Sequence, residues 1–240
     1  MLSAIAIIPS APVLIPELAS GAAAELVDLR DAVFRAAAAL PDRWVAVGAG
    51  SVDAVVGPDA VGTFAGYGVD VPVALAPDGA GPPTELPLCA LITGWVRGRV
   101  NPAARAEVRV YAHGHRADAA LARGRSLRAE IDEAADAVGV LVVADGAHTL
   151  TAPAPGGYDP DSVAVQAALD DALAGGDAAG LAALPGGVVG RVAYQVLAGL
   201  SEPAPASAHE LYRGAPYGVG YFAGVWVPAG RNVATRELNE

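Results

Sequence analysis

Residues 117–137 have an Arg-rich side and an Ala/Leu-rich side, and they run straight into an apolar stretch at 138–143, after which the chain turns polar. A helix that delivers the chain into an apolar strand, with a polar loop beyond it, is the repeating step of α/β architecture. A strand with no polar face needs cover on both sides of its sheet. The rest of the sequence keeps to this pattern. Runs at 4–8 and 44–47 read as buried strands, and 71–75, 107–111 and 221–227 as further ones. Between them, residues 25–40 place Leu26, Leu29, Val33, Ala37 and Leu40 at helical spacing, with Asp28, Arg30, Asp31 and Arg35 off that stripe. Residues 85–100, 162–173 and 187–200 also read as helices. No repeat of 20–50 residues is visible, and the Pro/Ala stretch at 202–207 reads as a loop rather than a linker. The expectation is one α/β domain at 1–230, a central mixed β-sheet flanked by helices, with a C-terminal tail at 231–240.

Composition narrows the chemistry. Alanine and glycine, 55 and 29 of 240 residues, make up about a third of the chain while aromatics reach 5%, so the core must be built from small and aliphatic side chains. All 15 basic residues are Arg. Without lysine there is no phosphate-loop lysine, no Schiff-base or pyridoxal-phosphate chemistry and no amine base. A net charge of −11 speaks against a nucleic-acid groove or an anionic membrane surface, both of which need clustered cations. The apolar N-terminus has no basic leader, and Pro9, Pro12 and Pro16 interrupt it well short of the ~20 residues of a membrane span, so it reads as neither signal nor anchor. The expected location is cytoplasmic. The lone Cys89 has no internal disulfide partner and reads as a buried small hydrophobe.

Three common site types are missing. There is no G-x-S-x-G elbow, the turn at 48–53 lacks the third glycine of a dinucleotide loop, and no Cys or His cluster has zinc-finger spacing. Of the four histidines, His113 and His115 would face one side of an extended segment and form a metal pair; the alternative is a polar strand end. His209, beside Glu210, reads as part of an exposed polar loop. His148 follows the strand at 138–143 in the sequence Asp145-Gly-Ala-His148. That places an acid and an imidazole at the C-terminal end of a strand, where α/β folds build their sites, and general acid/base work is the functional reading. The structural alternative is an imidazole bonded to loop backbone. Downstream, a turn presents Tyr158 and Asp159 ahead of a helix that Asp161 or Ser162 would cap. The closely spaced glycines at 214–220 require sharp turning or close approach to another segment.

Four segments in order, Ile8-Pro-Ser-Ala-Pro-Val-Leu-Ile-Pro-Glu17, Asp145-Gly-Ala-His148, Gly157-Tyr-Asp-Pro160 and Tyr217-Gly-Val-Gly-Tyr221, together resemble the class III extradiol dioxygenase superfamily, whose LigB-like fold the MEMO-like proteins share. Members read close to Pro-His-Pro-Pro, Gly-Asp-x-Ser-His and Gly-Tyr-Asp-Pro at the first three places. The resemblance implies a LigB-like fold and a non-haem Fe(II) site that opens a catecholic ring with O₂, held by two His and one Glu, with a further His as acid/base. Carried over, the first ligand falls on Ser10 and the second near Gly50 or Ser51. The carboxylate falls near Arg213, with Glu210 as a substitute, and the acid/base falls on His148. Hydroxyls beside a guanidinium lack the ligands that bind a dication. The expected function is therefore that of a divergent LigB-like pseudoenzyme without a metal cofactor, a non-oxygenase that binds a small phenolic or anionic molecule or acts as an interaction module. Its site would combine His148 and Asp145 with Ser10, Ser51, Tyr158, Asp159, Arg213 and Tyr217. The alternative is an active extradiol ring-cleaving dioxygenase with a non-standard iron or zinc site and His148 as acid/base. A homodimer is implied by the family alone.

Overall fold

The computed structural model describes residues 1–229, apart from the side chains of residues 20 and 22; the expected tail at 231–240 lies outside them. Strand β1 (Leu2–Ile8) leads through a short helix α1 (Pro16–Ala19) to α2 (Val27–Ala37) and back into the sheet as β2 (Arg43–Gly50). A short strand β3 (Ala54–Val56) and a separate hairpin, β4 (Val61–Thr63) with β5 (Pro72–Ala74), precede α3 (Leu88–Val100). Next come β6 (Arg105–Ala112), α4 (Ala117–Glu133) and β7 (Val138–Val143). A loop then leads to α5 (Asp161–Gly175), α6 (Ala178–Ala182), α7 (Arg191–Leu200) and the closing hairpin of β8 (Ser207–Gly214) and β9 (Tyr221–Val227).

Among the described residues the main sheet has seven strands in the order β3-β6-β2-β7-β1-β9-β8. The four inner strands β6, β2, β7 and β1 run parallel, and β3, β9 and β8 add antiparallel edges. The expected mixed sheet flanked by helices is the architecture found. Alternate residues supply two separate apolar layers, as strand pleating requires. Ala4, Ala6 and Ile8 of β1 with Leu141 and Val143 of β7 face the cluster containing Leu29 and Val33 of α2 and Trp95 of α3. Ile5 and Ile7 with Val140 and Val142 face the cluster built by Leu127 of α4, Leu169 of α5 and Tyr194 and Leu197 of α7. The scarcity of aromatic side chains is offset by close backbone approach: a Cβ on Gly48 of β2 would lie 2.3 Å from the Cβ of Cys89 on α3. Cys89 is buried there, and burial pushes its thiol up to about 11, which disfavours the reactive thiolate.

Two readings are corrected. Residues 207–214, which include His209 and Glu210, are not a loop but the edge strand β8. A bulge between Glu210 and Tyr212 breaks the alternation by which an edge strand would be recognised. Neither Asp161 nor Ser162 caps α5; Asp159 Oδ1 accepts the Asp161 N–H at 3.1 Å instead. No described helix is long and apolar enough to cross a membrane.

Arg97 locks the hairpin to the sheet. It is 6% exposed on α3, and its guanidinium donates to the carbonyls of Ala74 (2.9 Å), Pro102 (2.7 Å) and Ala104 (3.1 Å), with no carboxylate among these partners. Replacing it with Met leaves three carbonyls short of a donor. Arg97→Met is expected to cost about 3 kcal/mol, read as a lower midpoint in urea unfolding. A midpoint unchanged within error would show that water replaces the guanidinium freely.

Candidate functional site

The chain leaves β2 through α3 toward β6, and leaves β7 through α5, α6 and α7 toward the β9/β8 edge. Opposite exits from neighbouring parallel strands open a crevice at their C-terminal ends, the place where α/β sheets bind ligands. Here the cleft measures about 620 Å³, within the size range of small-molecule pockets. Its walls come from the ends of all four parallel strands: Ser10 after β1, Gly50 and Ser51 at the end of β2, His113 after β6, and Ala144 and Asp145 after β7. Tyr67, Glu85, Leu86 and Leu88 close one side and Val189 with Gly190 another. Apolar side chains stand at the rim, with Val52, Tyr67 and Val189 each more than 40% exposed.

Asp145 is the chemical centre of this crevice. Its Oδ1 accepts the Ser10 backbone N–H at 2.8 Å, while Oδ2 has no partner among the described residues. Burial pushes the carboxyl up to about 7, and the Ser10 N–H pulls in the opposite direction without compensating. The loop around it is fixed from several sides. Ala144 N–H reaches Ile8 O, Gly190 N–H reaches Asp145 O, and Gly146 N–H reaches Gly220 O, at 2.8–2.9 Å. Below, the Tyr194 hydroxyl donates to Ala144 O at 2.9 Å, and burial keeps that phenol protonated.

The other expected site residues lie elsewhere. His148 is outside the crevice lining and shares no hydrogen bond with Asp145; its ring packs under Gly156, where a Cβ would lie 2.7 Å from Nε2, and its buried Nδ1 has no partner among the described residues. Tyr158 is 59% exposed, and Asp159 serves the start of α5. Tyr217 donates its hydroxyl to Glu25 at 3.0 Å. Arg213 sits on β8, its charge taken up by Asp171 at 2.9 Å and by Glu210. His113 and His115 part company because the chain turns after β6 instead of continuing extended. His113 lines the crevice, whereas His115 Nε2 meets Asp53 Oδ1 at 2.6 Å, and Asp53 also takes Arg123 at 2.7 Å. Arg191, at the start of α7, holds the turn by donating to the carbonyls of both histidines at 3.1 Å. Sequence reasoning missed Tyr67 and Glu85, which reach the crevice through the hairpin region and carry no periodic signal.

The iron site implied by the resemblance is not matched by the donors present. Where two imidazoles are called for, the crevice offers Ser10 and Ser51, and Arg213 is remote from it. Among the described residues no three His, Cys, Asp or Glu side chains are grouped as a metal ion requires. A larger groove of about 820 Å³ lies at the opposite end of the strands, but its Arg109 is satisfied by Glu107 and Glu130 and its Arg105 by Asp78 and Asp59.

Fold and site together define an α/β protein with a crevice at the C-terminal edge of a parallel sheet, centred on one half-buried carboxyl. No protein-family model matches the chain, and no curated protein matches it. Among solved structures it is similar to the uncharacterized protein JW3007 from Escherichia coli K12, with a TM-score of 0.54 and 12% identity over 94% of this chain and 99% of that one. A likeness at that identity concerns the fold alone.

Proposed function

We propose that this is a divergent LigB-like protein that binds a small, uncharged, phenol-like or alcoholic molecule in the crevice beside Asp145, without iron-dependent ring cleavage. The observation that carries this reading is the free Asp145 Oδ2 at the floor of a cleft with an apolar rim. A carboxyl oxygen with Ser10 and Ser51 beside it, in a crevice whose rim carries Val52 and Val189, suits a ligand with one polar end and an apolar body. An anionic ligand would call on Arg213, but that residue lies on β8 with its charge taken up by Asp171 and Glu210, no Arg lines the crevice, and the lining carboxyls of Asp145 and Glu85 disfavour a further negative charge. The resemblance is supported by one coincidence. Ser10 and Gly50/Ser51, where it places the two histidine ligands, line the same crevice although some 40 residues separate them.

Titrating simple phenols and catechol into labelled protein at pH 6 is expected to shift amide signals at Ser10, Ser51 and Asp145. Asp145→Ala is expected to weaken binding by about tenfold, the loss of one hydrogen bond in a desolvated site. Anaerobic loading with Fe(II) followed by catechol and air is expected to yield no ring-opened product. Stoichiometric iron with ring cleavage would restore the dioxygenase reading, and shifts confined to other surfaces would remove the crevice assignment.

A further inference from the structure

The Asp145 loop is also held by a helix that sequence reasoning did not connect with the site. Gln166, on α5, is 7% exposed and wedged between two glycines: a Cβ on either Gly146 or Gly220 would lie 2.1 Å from its Oε1. That oxygen accepts the Ala147 N–H at 2.8 Å, and Nε2 donates to Asp170 Oδ1 at 2.8 Å. The two partners leave the amide one orientation, since a backbone N–H needs an acceptor and a carboxylate needs a donor. A half-turned amide would set two donors against each other at Ala147.

We propose that Gln166 is a positioning residue for the crevice carboxyl and that Asp170 sets its hold, so that protonation of Asp170 loosens the loop bearing Asp145. The inference rests on the reading of the Asp145 crevice as the binding site. Geometry makes the link: Asp170 is two hydrogen bonds from the Ala147 backbone, which follows Asp145 by two residues. Ionised, Asp170 accepts a charge-assisted bond; protonated, it accepts a neutral one of roughly half the strength. Burial, the largest influence, pushes Asp170 up to about 6, within reach of ordinary conditions. The groups that face it are Gln166 and Asp171 on its own helix, Glu210 and Arg213 on β8, and Tyr194 on α7. The Gln166 bond and Arg213 favour the charged form, whereas Glu210 and Asp171 oppose it.

The test uses the ligand-free protein and reads two signals against pH: hydrogen exchange at the Ala147 amide, corrected for its intrinsic pH dependence, and the side-chain carbon shift of Asp145. In the wild type, Ala147 protection is expected to fall about tenfold as pH drops through 6, the difference between a charged and a neutral hydrogen bond. Asp170→Asn, which keeps an acceptor but cannot ionise, is expected to flatten that step. Gln166→Leu is expected to abolish Ala147 protection and move the Asp145 midpoint. Gln166→Glu, whose protonated carboxyl keeps one donor and one acceptor, is expected to recover protection at low pH only. A wild-type step persisting in Asp170→Asn overturns the proposal, as does an Asp145 midpoint unmoved in Gln166→Leu. Should Gln166→Leu fail to fold, the Asp170→Asn profile decides alone. A failed ligand screen removes the crevice function and leaves this coupling standing, whereas a flat wild-type profile at Ala147 removes the coupling and leaves the crevice.

Discussion

Replacing Asp145 by Asn is expected to make the protein more stable above pH 7 while weakening ligand binding. The folded protein holds the Asp145 carboxyl at about 7, against 3.8 for the ordinary group, because burial disfavours its charge. Between those values the folded chain keeps a proton that the unfolded chain releases. Stability therefore falls as pH rises through this window, and the full penalty is present above about 7. At roughly 1.4 kcal/mol per pH unit the ceiling is about 4 kcal/mol, and water at the crevice floor reduces it. Asn carries no charge, and its oxygen keeps the bond from Ser10 N–H. A gain of about 2–4 kcal/mol at pH 8 corresponds to a Tm higher by roughly 5–12 °C for a chain of this size, shrinking to nothing near pH 4. Thermal melts at the two pH values measure it directly. Equal melting at pH 8 would mean that the carboxyl is better solvated than its surroundings indicate. A residue whose replacement stabilises the fold is one retained for recognition or chemistry, which is why the same variant belongs in the binding titration.

How much of this was legible in the sequence depends on the length scale of each cause. Val138–Val143 and Tyr221–Val227 match their expected spans, because a strand buried on both faces must be a continuous apolar run, and the runs at 4–8 and 44–47 fall inside β1 and β2 for the same reason. Strand β8 was not legible: it lies at the sheet edge, alternates weakly and carries a bulge. In the crevice, Asp145 could be named because it follows the end of a parallel strand, where α/β sheets build their sites, whereas Ser10 and Ser51 were reached only through the family resemblance. His148 lies only three residues beyond Asp145, yet the pairing of Gly146 and Ala147 with Gly220 turns the chain and carries the imidazole under Gly156. That turn depends on a segment more than 70 residues away. Gln166 was invisible for the same reason, since a helical glutamine announces nothing until its neighbours are seen to be two glycines and a backbone N–H.

Gly199→Ala tests whether the small residues of this chain are compositional habit or structural need. Helix propensity alone predicts that alanine stabilises an interior helical position by about 1 kcal/mol relative to glycine. The packing predicts the reverse. Helices α4 and α7 touch backbone to backbone: a Cβ on Gly199 would lie 2.1 Å from Leu121 O, and one on Gly124 would lie 2.1 Å from Val196 O. Both obstacles are main-chain carbonyls within helices and cannot rotate aside, so a methyl group must push the helices apart and open the layer around Leu127, Val196 and Leu197. A net loss of about 3 kcal/mol is expected for Gly199→Ala, seen as a lower urea midpoint. The double variant with Gly124→Ala is expected to lose less than the sum, because helices already separated admit the second methyl at little further cost. Stabilisation by Gly199→Ala would sink the packing account. The consequence extends to the crevice, since α7 carries Tyr194 beneath Ala144 and begins beside Gly190, whose N–H holds Asp145 O. Moving α7 away relaxes those contacts and admits water, so the Asp145 midpoint should drop below 7 in the same variant. A stability loss without that drop would place the helix contact outside the support of the site.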